Sequence, residues 1–136
     1  MWLLDTMVVS ELRKKAPDAA VVSWLTSVPQ ERLYLSVATL SEIQRGIARQ
    51  RSKDNLFAAR LQRWLDTLKK NYADRILPIT PDIACQWGEL TATVGHDGVD
   101  VIIAATALQY NFTVVTRNER HFRPFGVVVH NPYSKI

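Results

Sequence analysis

Short apolar runs alternate along the chain with longer segments in which apolar residues recur every three or four positions. The short runs predict β-strands at residues 2–4, 33–35, 76–79, 112–115 and 127–129. The periodic segments predict helices at about residues 8–14, 18–28, 54–72 and 81–94, with a further helix around Glu42. Strands that alternate with helices in this way indicate an α/β fold with a mainly parallel sheet.

Capping and helix-breaking residues define some of these elements further. Ser36 or Thr39 can cap the helix that follows the second strand, and Gly95 can close the helix at 81–94. Pro78 lacks a backbone N–H, which places the third strand at a sheet edge or a strand end. The segment 101–108 is apolar almost all round, so we expect it to form a helix buried in the domain centre.

Length and composition predict a single domain that spans residues 1–136. The 136 residues are 47% hydrophobic and 22% charged, which is typical of a folded chain rather than a disordered one. The lone cysteine, Cys85, cannot form an internal disulfide, and this favours a reducing, cytoplasmic location. The apolar runs are too short to span a bilayer and no basic region precedes the first, so we expect neither export nor membrane insertion.

The net charge of +4 favours a polyanionic partner. The segment between residues 45 and 70 is locally basic, because only Asp54 and Asp66 oppose eight cations there. These cations are Arg45, Arg49, Arg51, Lys53, Arg60, Arg63, Lys69 and Lys70. A solvated helix face without a ligand would have the same composition, and the sequence leaves both interpretations open.

Three carboxylates interrupt hydrophobic segments. Asp5 follows residues 2–4, Glu42 lies within residues 33–47, and Asp100 opens the apolar run at 101–108. Ionised Asp and Glu are seldom buried without a partner, and a hard divalent cation such as Mg²⁺ or Mn²⁺ would serve all three. Such a site suits hydrolysis of a phosphodiester bond.

The predicted sheet offers a place where polar groups can meet. Ligands of parallel α/β sheets bind beyond the carboxyl ends of the strands. Asp5 follows the first strand, while Thr116 and Asn118 follow the strand at 112–115, so these groups should face one crevice. Asp100 would lie at a helix N-terminus, where the helix dipole favours its ionised form.

Each acid also has a purely structural interpretation. Asp5 could cap the helix that follows it, and Glu42 could form an ion pair with Arg45. Asp97 and Asp100 could form an ordinary capping arrangement, which is the preferred interpretation for Asp97. The coincidence of three such acids favours a functional site.

Four sequence segments together resemble the PIN-domain ribonucleases, specifically the VapC-like toxins of type II toxin–antitoxin systems. They are Leu3-Leu4-Asp5-Thr6-Met7-Val8-Val9-Ser10-Glu11-Leu12, Ser41-Glu42-Ile43 with Gly46-Ile47, Asp100-Val101-Ile102-Ile103-Ala104-Ala105-Thr106-Ala107, and Thr116-Arg117-Asn118 with His121-Phe122. They occur in the family's order and span nearly the whole chain.

This resemblance implies a PIN-like three-layer α/β/α domain and a Mg²⁺- or Mn²⁺-dependent ribonuclease. By position, Asp5, Glu42 and Asp100 look like three of the family's acidic catalytic and metal-binding residues. The resemblance also implies a cognate antitoxin that covers the site, an RNA substrate and a homodimer.

Two positions depart from the family pattern. Met7 stands where the family commonly has Asn, and His121 stands where many members place a fourth acid. A neutral imidazole is a poor ligand for Mg²⁺ but an acceptable one for Mn²⁺, and His121 could equally contact phosphate or only pack. These departures leave open a PIN-like module that is weak or inactive in catalysis and binds RNA or a protein partner.

Two other folds that place an Asp after a strand lack groups that they need here. A haloacid-dehalogenase-type phosphatase requires a second Asp at the position of Met7, and a response-regulator receiver domain requires an Asp directly after residues 76–79.

Overall fold

In the computed structural model, residues 1–95 and 98–134 are described. Within them, a sheet of parallel strands has the order β3-β2-β1-β4-β5. The strands are β1 (Trp2–Leu4), β2 (Leu33–Ser36), β3 (Ile76–Leu77), β4 (Thr113–Val115) and β5 (Val129–His130). The predicted α/β fold with a parallel sheet is confirmed.

Helices join consecutive strands and cover the sheet. They are α1 (Thr6–Glu11), α2 (Ala19–Ser27), α3 (Val37–Gln50), α4 (Asn55–Asn71), α5 (Pro81–Val94), α6 (Val99–Tyr110) and α7 (Glu119–Phe122). Single 3₁₀ turns occupy Gln30–Arg32 and Arg123–Phe125. None of the helices in the described ranges is long and apolar enough to cross a membrane.

The sheet separates two hydrophobic clusters, because successive strand residues point to opposite faces. Leu4 belongs to a cluster that includes buried residues of α1 to α4, such as Val8 and Leu65. Leu3 belongs to the other cluster, with buried residues of α6 such as Ile103 and with Phe122. Two helical layers around one sheet give the expected α/β/α arrangement.

Helix α6 is the most deeply buried of the described helices. Every residue from Val101 to Ala107 is buried, which confirms the central helix predicted from its continuous apolar composition. Its one polar residue in this stretch, Thr106, donates its hydroxyl to the Ile102 carbonyl at 2.8 Å. Asp100 is therefore fixed at the exposed end of a helix that the rest of the domain encloses.

Several predicted boundaries move once tertiary contacts are present. The first helix was expected at 8–14 but begins at Thr6, because Asp5 caps it. The last strand was expected at 127–129 but is Val129–His130, which pair with Val114 and Val115 of β4. Strand β3 lies at the sheet edge, as Pro78 indicated.

Some local features differ from expectation or were not predicted. Ser36, not Thr39, caps α3, since its side chain accepts from the Ala38 N–H. Helix α7 and the two 3₁₀ turns were not predicted, because segments this short carry little periodic signal. His130 is half-buried, with its ring 5.0 Å from that of Trp24.

Candidate active site

Two neighbouring strands end side by side at the carboxyl edge of the sheet. Strand β1 leads into Asp5 and strand β4 leads into Thr116, and the Asp5 N–H donates to the Val115 carbonyl at 2.9 Å. Strand order reverses between β1 and β4, since β2 and β3 lie on one side and β5 on the other. Parallel α/β sheets bind ligands at such a switch point.

Asp5 is a buried carboxylate with a neutral donor on each oxygen. The residue is 4% exposed. Its Oδ1 accepts from the Thr6 N–H and its Oδ2 accepts from the Thr116 hydroxyl, both at 2.8 Å. Thr116 Oγ1 in turn accepts from the Asn118 N–H at 3.0 Å. Asp5 therefore caps α1, as its structural interpretation predicted, while Thr116 fixes its other oxygen.

The surroundings of Asp5 disfavour its charge. Burial, opposed in part by the hydrogen bonds from Thr116 and Thr6, raises its pKa from the usual 3.8 to about 6. The negative charges of Asp100 and Glu42 add to the rise, so these acids lie within electrostatic reach of Asp5. The structure therefore brings all three predicted acids into one electrostatic neighbourhood.

Glu42 and Asp100 line the same groove, which has a volume of about 710 Å³. Glu42 lies in the second turn of α3, and its Oε2 is 3.8 Å from Arg45 Nη2. Asp100 lies in the first turn of α6, and its Oδ2 is 3.2 Å from His121 Nδ1. Each of these acids thus has a basic side chain beside it, whereas Asp5 has none among the ion pairs of the described residues.

The donor atoms of the three acids fit a hard divalent cation in their chemistry. Carboxylate oxygens are the ligands that Mg²⁺ and Mn²⁺ prefer. The acids do not form a complete metal-binding site. Among residues 1–95 and 98–134, no three Asp, Glu, His or Cys side chains are grouped so that they could hold a metal ion.

The weaker candidates lie around this centre. Thr116 contacts Asp5 directly, and His121 contacts Asp100. Asn118 Nδ2 lies 3.5 Å from Met7 Sδ, so the thioether contacts the polar loop after β4. Asp97 lies outside the described residues.

Sequence reasoning missed two features of the site. Arg120 lines the groove of Glu42 and Asp100, and Arg117, Arg120 and Arg123 line a second depression beside it. The spacing of three between these arginines was a readable signal. Tyr133, whose hydroxyl donates to the Met7 carbonyl at 3.2 Å, gave none, because its partner lies 126 residues away.

Comparison with known proteins gives consistent matches. The PIN domain family model matches residues 2–126. The VapC ribonuclease Y4jK of Sinorhizobium fredii is 34% identical over 141 residues, covering 98% of this chain and 99% of the relative. The FitAcB crystal structure from Neisseria gonorrhoeae has a TM-score of 0.80 at 34% identity, covering 97% of this chain and 98% of that chain. A toxin–antitoxin complex from Klebsiella pneumoniae has a TM-score of 0.68 at 25% identity, covering 99% and 100%.

Proposed function

The chain belongs to the PIN-domain family, and we propose that it is an endoribonuclease that acts as the toxin of a toxin–antitoxin pair. The observation that carries the proposal is the buried Asp5 at the switch point of the sheet, within electrostatic reach of Asp100 and Glu42. The ribonuclease and toxin–antitoxin names of similar proteins support the same activity.

The proposed reaction depends on Mg²⁺ or Mn²⁺ held by Asp5, Glu42 and Asp100. When bound, such a cation supplies Lewis acidity that polarises a phosphate and lowers the pKa of water. The chain's own contribution is to position the acids. Thr116 and the Thr6 N–H orient Asp5, whose pKa of about 6 leaves it mostly ionised at neutral pH.

The partners follow from the same assignment. The substrate is RNA, and a cognate antitoxin restrains the enzyme by covering the groove of Glu42 and Asp100. The whole chain, residues 1–136, forms one PIN-like domain that pairs with a second copy. The cytoplasmic location expected from the lone cysteine stays a prediction.

A second candidate function is a PIN-like module that binds RNA or a protein partner with weak or absent catalysis. Met7 and His121 support it. Met7 contacts Asn118 through sulfur, and His121 lies against Asp100, where a neutral imidazole would be a poor Mg²⁺ ligand.

Cleavage of RNA by the purified full-length protein tests the two functions. We expect cleavage with Mg²⁺ or Mn²⁺ to fall at least about 100-fold in Asp5→Asn, equivalent to roughly 2.7 kcal/mol of transition-state stabilisation. Asp66→Asn is the matched control, because Asp66 is an exposed acid of α4 that pairs only with groups of its own helix. Cleavage that persists in Asp5→Asn would overturn the site. No cleavage by the unmodified protein with either metal would favour the binding module.

A further inference from the structure

A shallow basic depression adjoins the acidic groove. It has a volume of about 490 Å³ and is lined by six consecutive or nearly consecutive residues after β4. They are Arg117, Asn118, Glu119, Arg120, His121 and Arg123. The lining contains three guanidinium groups and one carboxylate, that of Glu119, so the depression carries a net positive charge.

The depression and the acidic groove share a wall. Arg120 and His121 line both, and His121 contacts Asp100 at 3.2 Å. Arg117 follows Thr116, the residue that holds Asp5. A chain-like anion that enters the groove at Asp100 can therefore continue over Arg120 toward Arg123 without leaving the surface.

The arginines are available to an external anion. All three are exposed, and within the described part of the chain none lies within 4.0 Å of a carboxylate oxygen. The Arg117 guanidinium stacks over the Tyr133 ring at 5.0 Å, and Tyr133 is buried and hydrogen-bonded to the Met7 carbonyl. This contact restricts Arg117, so less of its side-chain freedom is lost when an anion binds.

The negative charge of the acidic residues disfavours the binding of a phosphodiester at this site. Asp5, Glu42 and Asp100 repel the phosphates of the strand that they are proposed to cleave. Guanidinium groups bind phosphate by paired, charge-assisted hydrogen bonds and are the natural compensation. The arginine depression is the basic surface that shares residues with the groove of Glu42 and Asp100 on the β4 side.

We propose that Arg117, Arg120 and Arg123 form a phosphate subsite that holds the RNA backbone next to the cleaved bond. The inference rests on the proposed ribonuclease function and adds the direction in which the strand leaves the acids, over α7 and away from α4. Arg120 and Arg123 contact phosphates of the strand, and Arg117 is held in place by Tyr133.

Salt-dependent binding of a single-stranded RNA oligonucleotide tests the subsite. The full-length Asp5→Asn protein, in which the RNA stays intact, would be compared with the same protein carrying Arg120→Gln and Arg123→Gln. We expect the double change to weaken binding roughly tenfold at low salt and to reduce the slope of log K against log salt by about 1.4, or about 0.7 per phosphate contact.

The matched control carries Arg63→Gln and Lys70→Gln, two exposed cations of α4 in the opposite helical layer. It removes the same net charge, and we expect its slope to stay unchanged. An unchanged slope in the Arg120 and Arg123 variant, or an equal loss in the control, would overturn the subsite. Thermal melting of each variant verifies folding, and exposed substitutions of this kind should leave it intact.

Cleavage assays separate this inference from the proposed function. With Asp5 intact, loss of Arg120 and Arg123 should raise KM with little change in kcat, since uniform binding is removed. If the protein binds RNA with the expected slopes but never cleaves it, the subsite stands and the ribonuclease assignment fails. If it cleaves RNA and the slopes do not differ, the subsite alone fails.

Discussion

Asp5 and Glu11 lie at the two ends of helix α1 and show two ways to bury a carboxylate. Both residues are 4% exposed. Glu11 accepts from Lys14 Nζ at 3.2 Å and from the Asp18 N–H at 3.1 Å. Burial alone would raise its pKa, but these donors outweigh burial and lower the pKa below 4.5. For Asp5 the balance is reversed, and burial raises its pKa to about 6.

The difference lies in the neighbouring charge. Glu11 has a cation, Lys14, whereas Asp5 has two neutral donors and the like charges of Asp100 and Glu42. Neutral hydrogen bonds compensate only part of the desolvation of an ion. The charge of Glu11 is therefore balanced within the fold, whereas Asp5 has no cationic partner among the ion pairs of the described residues.

Replacing Glu11 should produce the largest loss of stability. Glu11→Gln keeps the shape but removes the charge that organises Lys14 and the start of α2, and we expect a loss of about 2–3 kcal/mol in unfolding free energy at pH 7. Urea denaturation measures it. Because the pKa of Glu11 is lowered in the folded state, its contribution is present above pH 4.5 and disappears as pH falls through the folded-state value. A penalty as large at pH 3 as at pH 7 would contradict the structural role.

Replacing Asp5 should have the opposite sign in metal-free protein. The folded-state pKa of about 6 exceeds the usual 3.8, so the folded protein binds the proton more tightly and its stability declines as pH rises from about 4 to 6. The decline corresponds to about 3 kcal/mol at most. Asp5→Asn should lack this decline and gain about 1–2 kcal/mol at pH 7.5. The gain is smaller than the full decline because the amide puts a donor where Asp5 accepts from Thr6 or Thr116.

Denaturation in EDTA at several pH values measures this effect, with Asp66→Asn as the control for loss of an exposed carboxylate. A loss of stability in Asp5→Asn at pH 7.5 that disappears as pH falls would contradict this prediction and would mean that Asp5 is a structural residue like Glu11.

Removing one hydroxyl near Glu11 should give the smallest effect. The Tyr133 hydroxyl donates to the Met7 carbonyl at 3.2 Å, and burial is the first cause that raises its pKa to about 12. Tyr133→Phe keeps the ring beneath Arg117 and should cost about 1 kcal/mol in thermal or urea denaturation. Tyr133→Leu, which also removes the contact with Arg117, is the comparison. Equal losses in the two variants would show that the ring contributes nothing.

Much of the fold was predictable because its signals are local. The continuous apolar run at 101–108 identified α6, and Gly95 marked the end of α5. The register of β5 was not predictable, because the pairing of Val129 with Val114 decides it through a tertiary contact.

Local sequence signals also pointed to part of the candidate site. Position after a strand or at a helix start pointed to Asp5 and Asp100, and both face one neighbourhood. The Glu42–Arg45 ion pair follows from their i,i+3 spacing on one helix. No sequence pattern could show that Asp100 lies beside His121, since that contact depends on packing between separate helices.

The hydrogen bond between Asp5 and Thr116 joins residues 111 positions apart. Thr116 is synthesised 111 residues after Asp5, so the nascent polypeptide carries the acid through that interval without the hydroxyl that orients it. A product truncated before Thr116 would therefore lack this orienting contact.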